Sequence, residues 1–215
     1  MALNTNALTT VDTVKGVGYL NLSSDTYNTW IERQINIFSQ RIENYLGRKL
    51  YTRTITDEKY SGNGRTKLYL NNYPVSSVTS VTQQDDTISS DDYDLVSSDY
   101  SAYLYNEYGW WFNGITNGIT KAIVDRYEDI KVTYVAGYVL PQSEETQTLP
   151  LDLEEACIQS VIYAYNQIDT GNRKKKSEKI QSWSVTYADD EFDMKSGLLE
   201  SVKTVLDSYK DVTQL

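Results

Sequence analysis

Two kinds of hydrophobic spacing divide the chain. Over residues 24–46 apolar side chains recur every three or four positions, which is the spacing of one stripe on an α-helix. Ser24 or Asp25 can cap the first turn, and Gly47 stands where a left-handed residue ends such a helix. The pattern predicts an amphipathic helix over 24–46, preceded by a short helix within 11–20.

The spacing falls to about two between residues 51 and 140, where Thr, Tyr, Val and Ser are frequent and turn residues recur. This region is predicted to be β-rich. The turn Ser61–Gly64 joins the first two strands, which predicts a β-hairpin. The acidic stretch 85–92 is predicted to be a solvated loop, and residues 109–113 a compact aromatic turn. The expected strands cover 51–60, 67–70, 75–82, 93–108, 119–124 and 130–138.

Helical spacing returns after a polar linker at 141–150. Pro150 followed by Asp152 is a helix start signal, and this helix should end near Gly171. A short half-buried strand is predicted at 183–187, and a last helix over 198–209. Because the helices belong to both ends of the chain, they can bury their apolar stripes only against one another.

The predicted fold class is therefore α+β, with a small helical bundle that carries a β-rich insertion. Residues 1–50 and 141–215 form the helical core, and residues 51–140 form the inserted module.

Composition removes several kinds of chemistry. The 215 residues include no histidine, which excludes histidine-based catalytic triads, zinc sites with histidine ligands and histidine pH switches. The single cysteine, Cys157, excludes an internal disulfide and lies on the apolar stripe of a helix, where it is predicted to be a core residue. A net charge of -10 repels duplex DNA overall. The N-terminus lacks the features of a signal peptide, and no stretch is apolar enough to span a membrane, so we expect synthesis in the cytoplasm.

Motifs for catalysis or cofactor binding are weak. The acidic sets at 85–92 and 189–193 lack the spacing of a calcium loop. They are predicted to be solvated faces or, for 189–193, first-turn charges of the last helix. The glycine-containing segment 61–67 lacks the Walker arrangement and precedes a strand. Carboxylate pairs for a glycosidase or a metal-dependent hydrolase have no specific support. No catalytic residue, metal or cofactor is predicted.

One segment concentrates positive charge: Arg173, Lys174, Lys175 and Lys176. It is either an exposed loop that balances the carbonyl end of the preceding helix or a contact to phosphates or an acidic partner.

Aromatic residues supply a second set of interaction candidates. Trp110 and Trp111 are neighbours that point to opposite faces of a strand, so one can enter a core while the other stays available to a partner. The set of candidate interface aromatics comprises Trp110, Trp111, Trp183 and Tyr187.

Several segments together resemble the head-completion or head–tail connector (adaptor) proteins of siphophage-type tailed bacteriophages. They are RIENYLGRKL (41–50), LYLNNYPVSSVTSV (68–81) after Tyr60, Gly62 and Gly64, IKVTYVAGY (130–138), LPLDLEEACIQSVIYAYNQ (149–167) and SWSVTYA (182–188). They occur in the family's order and extend over residues 24–210. The stretch 83–128 departs from the pattern, because it is longer and richer in tyrosine than in small members.

This resemblance implies a structural protein of the virion that assembles as a dodecameric ring under the portal protein. The ring would extend the DNA channel without sequence-specific DNA binding and would provide a platform for the stopper or tail-completion protein. Arg173–Lys176 would then face the portal or DNA.

Another class of function also fits the β-rich region. Exposed rings can stack on sugars, so the insertion could be a carbohydrate- or ligand-binding module with helical support. The rings available for this purpose are Tyr103, Tyr105, Tyr108, Trp110 and Trp111.

Overall fold

A computed structural model describes residues 2–62, 64–84, 86–110, 129–169, 177–180, 183–186, 192–193 and 195–210. It contains α-helices and antiparallel sheets, so the predicted α+β fold class is confirmed. The described residues divide into two compact units. A helical unit comprises Met1–Arg48 and Val139–Lys210, and a β unit comprises Lys49–Tyr138.

The described residues of the helical unit form four α-helices: α1 (Val11–Lys15), α2 (Asn28–Leu46), α3 (Leu151–Asp169) and α4 (Glu200–Asp207). Helix α2 packs against α3 and α4, as its stripe predicts. The first turn of the predicted helix is a 3-10 helix, Asp25–Tyr27, where the Ser24 hydroxyl accepts from the Thr26 N–H. Gly47 ends α2 with φ 69°, so the predicted C-terminus is confirmed.

Buried apolar side chains from all four helices and the N-terminal segment form the core of this unit. They include Leu8, Val14, Ile31, Ile35, Phe38, Ile42, Leu153, Cys157, Val161, Val202 and Leu206. The burial of Cys157 confirms its assignment to the core.

The first and the last α-helix are shorter than predicted. Helix α1 ends at Lys15 and not near residue 20. The last helix begins at Glu200 and not at Leu198, because β11 (Leu198–Leu199) pairs with β10 (Phe192–Asp193). In both places a turn competes with the helix, since Gly18 and Gly197 adopt positive φ angles. Two further strands, β8 (Ser177–Ile180) and β9 (Trp183–Thr186), form an antiparallel pair.

The part of the β unit that the structure describes contains two sheets. Strands β1 (Arg53–Tyr60), β7 (Ile130–Ala136), β3 (Val75–Gln83) and β4 (Asp86–Ile88) form the first sheet in that order. Strands β2 (Lys67–Leu70), β6 (Ala102–Tyr105) and β5 (Asp94–Ser97) form the second sheet in that order. All named strand pairs are antiparallel. Their inner faces enclose one core, which includes Leu68, Leu70, Val81, Leu104, Trp110, Ile130, Val132 and Tyr134.

The predicted hairpin between the first two strands is wrong. β1 pairs with β7, whereas β2 pairs with β6, so the two strands belong to different sheets. The connecting segment makes long-range hydrogen bonds instead: the Gly64 N–H donates to Trp110 O at 2.7 Å and the Trp110 N–H donates to Arg65 O at 2.8 Å. A local turn signal cannot report partners of this kind.

The acidic stretch is more ordered than a solvated loop. Strand β4 pairs with β3 after Gln84, whose φ of 54° lets the chain reverse, and a 3-10 helix covers Ser90–Asp92. The loop prediction is therefore wrong for these residues. The strand predicted over 93–108 is present as the hairpin β5–β6. The predicted strand 119–124 and residues 111–113 lie outside the described residues.

The first and last residues of the β unit lie side by side. Tyr51 and Tyr138 form a parallel bridge, the Thr52 N–H donates to Tyr138 O at 2.9 Å, and the Tyr138 N–H donates to Leu50 O at 2.7 Å. Gly137 permits this approach, because a Cβ at its φ of 109° would lie 2.3 Å from Tyr51 O.

Candidate assembly surfaces

Most of the predicted interaction residues lie outside the described residues. This holds for Arg173, Lys174, Lys175 and Lys176, and for Trp111 and Tyr187. The backbone of Trp183 begins β9 and pairs with Ile180. Their roles at an interface remain predictions.

Trp110 is a core residue and does not present an interface. Its side chain is 1 % exposed, and its indole N–H donates to Leu104 O at 3.0 Å. Its ring also packs against Tyr93, with the ring centroids 6.4 Å apart. The side chain therefore serves the β core, which corrects its assignment as a candidate interface aromatic and removes one sugar-stacking ring.

The outer face of the β2–β6–β5 sheet is rich in tyrosine. Because opposite residues of antiparallel strands share a face, the register defines two rows across it. The rows are Lys67–Tyr105–Asp94 and Tyr69–Tyr103–Val96. Tyr69 is 46 % exposed, Tyr105 38 % and Val96 42 %. We call these six residues the tyrosine face.

Sequence reasoning found only part of this face. It singled out Tyr103 and Tyr105 but missed Tyr69, because the predicted hairpin paired the strand of Tyr69 with β1 and not with β6. The alternation in β2 is the signal that was available, since Leu68 and Leu70 are buried while Lys67 and Tyr69 are exposed.

Aromatic residues also gather in the helical unit, where they were not predicted as a group. Tyr165 of α3 makes edge-on contacts with Tyr27 and Trp30, at centroid distances of 5.3 and 6.0 Å. Tyr27 is exposed and Trp30 is half-buried. These rings were counted as part of the helix stripes, where a position at the edge of the stripe cannot be told from one at its centre.

A polar cleft of about 500 Å³ opens on the helical unit. It is lined by Arg41, Asn44, Tyr45, Asp193, Lys195, Ser196 and Lys203. Its charges are largely matched internally, because Lys203 pairs with Asp193 at 3.2 Å and with Glu200 at 2.9 Å. The Arg41 guanidinium donates to Gly197 O at 3.0 Å.

Asp193 organises the turn beside this cleft. The Lys195 N–H, the Ser196 hydroxyl and the Lys203 ammonium hold the pKa of its carboxyl well below the usual range. Asp193 was predicted to be a solvated acid or a first-turn charge of the last helix. It instead accepts hydrogen bonds within the turn between β10 and β11, so the cleft has a structural explanation.

A tyrosine–carboxylate cluster lies in the β unit. The hydroxyls of Tyr60 and Tyr134 both donate to the Glu58 carboxylate, and the Asn72 amide donates to the Tyr134 hydroxyl at 3.0 Å. Burial, followed by the hydrogen bond to Glu58, raises the pKa of Tyr134 to about 12, and the same causes raise the pKa of Tyr60. Both phenols are therefore stabilised in the protonated form. Their hydrogen bonds join β1, β7 and the segment after β2.

The single cysteine is not activated as a nucleophile. Burial raises the pKa of Cys157 to about 12, which keeps its thiol protonated. Within the described ranges, no three acidic or cysteine side chains form a candidate metal site. Nor does any described helix have the length and apolar character to cross a membrane.

Each unit exposes aromatic side chains, the tyrosine face on the β unit and Tyr27 on the helical unit, and aromatic residues are enriched at protein–protein interfaces. The sequence profile described as "Head completion protein" matches residues 7–212. The chain belongs to the head completion protein family, whose members are structural proteins of the bacteriophage virion.

Solved structures share the fold. The chain is similar to one from "Virion of native gene transfer agent (GTA) particle", with 14% identity, a TM-score of 0.52, and coverage of 99% of this chain and 93% of that chain. Two others come from "Neck of native GTA particle computed with C12 symmetry" and "Neck of empty GTA particle computed with C6 symmetry". Their identities are 15% and 16%, with the same TM-score and coverages. No curated protein sequence matches the chain.

Proposed function

We propose that this protein is a head–tail connector that assembles as a dodecameric ring beneath the portal, extends the DNA channel and offers a platform to the stopper or tail-completion protein. The observation that carries the proposal is the family match over residues 7–212. The similarity to chains in GTA particle necks computed with C12 and C6 symmetry supports a ring in the neck.

The composition suits a channel through which DNA slides. A chain with thirty acidic and twenty basic residues makes few contacts that release counterions from a duplex. The isolated protein is expected to bind duplex DNA weakly even at low salt. Tight binding measured under those conditions would contradict this role.

The direct experiment mixes the full-length protein with the portal of the same particle. Mass photometry should show about twelve copies added per portal, matching the C12 symmetry reported for a similar neck, and electron microscopy should show a ring on the portal axis. A chain that remains unbound, or that adds an irregular number of copies, would overturn the proposal.

The aromatic candidates can be tested in the same mixture. We propose that Trp111, Trp183 and Tyr187 contact neighbouring copies or the portal. Trp183→Ala should weaken portal binding and leave the melting temperature unchanged. Tyr100→Ala is the matched control, since Tyr100 is an exposed aromatic residue of the β unit outside this set. Unchanged portal binding by the Trp183 variant would remove Trp183 from the interface.

The basic segment has its own test. We propose that Arg173–Lys176 contact either phosphate or an acidic protein surface. Reversing Lys174, Lys175 and Lys176 to glutamate should weaken assembly with little change in stability, because exposed charges contribute about 0–1 kcal/mol each. Particles that package and retain DNA normally with these reversals would show that the segment has no such role.

A further inference from the structure

We infer that the tyrosine face of one protomer binds the basic segment Arg173–Lys176 of a second copy of this chain. The inference deepens the proposed function, on which it rests, because it names the two complementary surfaces that a ring requires. A closed ring of identical subunits uses head-to-tail contacts, in which one patch on each copy meets a different patch on the next copy.

The tyrosine face presents rings at a spacing that suits long cationic side chains. Tyr69 and Tyr103 lie opposite each other in register, with centroids 5.4 Å apart. Tyr105 extends the surface along β6, and Val96 adds apolar area on β5. The methylene stems of lysine and arginine cover such surfaces while their charged ends reach polar groups.

The face already holds one cation. The Lys67 ammonium lies 4.6 Å from the centroid of the Tyr103 ring, which is within the range of a cation–π contact. This contact shows that the rings of the face accept a lysine ammonium in the folded protein. Tyr69 and Tyr105, on either side, remain exposed.

Negative charge adjoins the face at one end. Asp94 belongs to the face, opposite Tyr105. Tyr108, which directly follows Glu107, is 74 % exposed. Its pKa is raised by the hydrogen bond and charge of Glu107 and, more weakly, by the charge of Asp92. Three carboxylates therefore act on the same end of the sheet.

The sequence reinforces this charge asymmetry. Residues 68–120 contain no lysine or arginine. The same stretch contains the acidic residues Asp85, Asp86, Asp91, Asp92, Asp94, Asp99 and Glu107. Lys67 is the one cation of the tyrosine face, whereas Asp94 lies on the face and Glu107 and Asp92 act beside it. Tyrosine rings with this excess of carboxylates favour a cationic protein segment over an anionic one.

The chain supplies such a segment itself. Arg173–Lys176 places four cations in succession, in a chain whose net charge is -10. Repeating one modest contact around a ring gives a stable assembly, since each copy is then held on both sides. Charge complementarity thus favours a second copy over an unrelated ligand.

The first test measures the contact without any ring. The receptor is the full-length protein with Arg173, Lys174, Lys175 and Lys176 all changed to glutamine, so that its own segment cannot compete. The probe is a fluorescent peptide of residues 170–180, and binding is followed by anisotropy at low salt. We expect saturable binding that weakens as ionic strength rises. Absence of binding at low salt would overturn the inference.

Variants of the receptor locate the binding surface. Asp94→Asn with Glu107→Gln should weaken peptide binding about fivefold, whereas the matched control Glu144→Gln with Glu145→Gln, on the helical unit, should not. Tyr69→Ala should weaken it about threefold, whereas Tyr100→Ala, a tyrosine of similar exposure on the turn after β5, should not. Equal effects of the test and control variants would place the contact elsewhere and overturn the inference.

A charge-exchange experiment separates contacts between copies from contacts within one chain. One protein carries Asp94→Lys and Glu107→Lys, and the other carries glutamate at positions 173–176. Each should associate poorly alone, and their mixture should regain association in sedimentation velocity, because every contact in an alternating assembly is again complementary. Compensation that occurs only when both changes are in the same chain would overturn the inference.

Other outcomes distinguish the alternatives. A peptide that binds the portal or duplex DNA but not the tyrosine face would assign the segment to those partners, and hits on a glycan array lost in Tyr69→Ala would assign the face to sugars. Either result contradicts the inference. A chain that binds the peptide but forms no ring on the portal would contradict the proposed function and leave the contact between face and segment standing.

Discussion

Both units hold a glutamate in a network of distant residues, but the partners differ in kind. In the helical unit, buried Glu154 accepts from the Thr9 hydroxyl at 3.1 Å and the Gln147 amide at 2.8 Å. In the β unit, half-buried Glu58 accepts from the phenols of Tyr60 and Tyr134. Amides and aliphatic hydroxyls do not titrate near neutral pH, whereas phenols lose a proton in base.

The difference shows how two networks in one chain can respond differently to a rise in pH. The network in the helical unit ties the N-terminal segment and the linker before α3 to the helices, and Asn6 adds a bond to Glu43 at 2.8 Å. The network in the β unit ties two strands to the segment at Asn72. Each network therefore secures irregular chain to regular structure, but only that of the β unit is sensitive to base.

The largest expected effect breaks the β unit alone. Trp110→Ala removes a fully buried indole and its hydrogen bond to Leu104 O, which should cost about 3–5 kcal/mol of unfolding free energy. Hydrogen exchange should show the loss in β2, β6 and β7, with α2 and α3 protected as before. Equal loss of protection in the helices would contradict the separation of the two units.

The second effect tests the glutamate that joins the phenols. Both tyrosine hydroxyls donate to one Glu58 oxygen, and the other oxygen accepts from the Asn71 and Asn72 amides at 3.3 and 3.4 Å. Glu58→Gln replaces one of these two oxygens with an NH2 group, so one of the two pairs of donors loses its acceptor. We expect a loss of about 1–3 kcal/mol in urea unfolding, because a buried polar group is left unsatisfied. Glu145→Gln, an exposed change of the same kind, is the control and should have no measurable effect.

The third prediction concerns base. The pKa of Tyr134 is raised from 10.0 to about 12 in the folded protein, so the unfolded chain loses this proton first as the pH rises. The stabilisation from the protonated phenol is complete below pH 10 and is lost between pH 10 and about 12. Tyrosine absorbance and amide exchange should show the β unit opening in this range. Tyr134→Phe should reduce the pH dependence.

The smallest expected effect is in the helical unit. Cys157 is buried with its pKa raised to about 12, so a thiol reagent at pH 8 should react very slowly with the native protein and rapidly after denaturation. Native reactivity comparable to that of a free thiol would show that α3 opens readily, and the helical unit would then be the less stable of the two.

Local pattern predicted the helical unit better than the β unit for a physical reason. A helix satisfies its backbone hydrogen bonds within four residues, so the stripe of α2 and the signals at Ser24 and Gly47 suffice to define it. A strand needs a partner, and β1 finds its partner in β7, far along the chain. The turn residues Ser61–Gly64 therefore correctly predicted the end of β1 but wrongly predicted that β1 pairs with β2.

The candidate surfaces show the same limit. The exposure of Tyr103 and Tyr105 followed from alternation, but which strands lie beside β6 did not, and so Tyr69 was missed. The sequence left open which of Trp110 and Trp111 enters a core, and only the sheet packing decides that Trp110 is buried. The distribution of acidic and basic residues along the chain can be read from the sequence, because it does not depend on strand pairing.

The bridge between Tyr51 and Tyr138 has an evolutionary consequence. Because the chain leaves and returns through adjacent backbone groups, everything between these two residues can be lengthened, shortened or exchanged without altering the gap that the rest of the polypeptide must span. Related proteins can therefore keep the helical unit and differ in the segment inserted between these two residues.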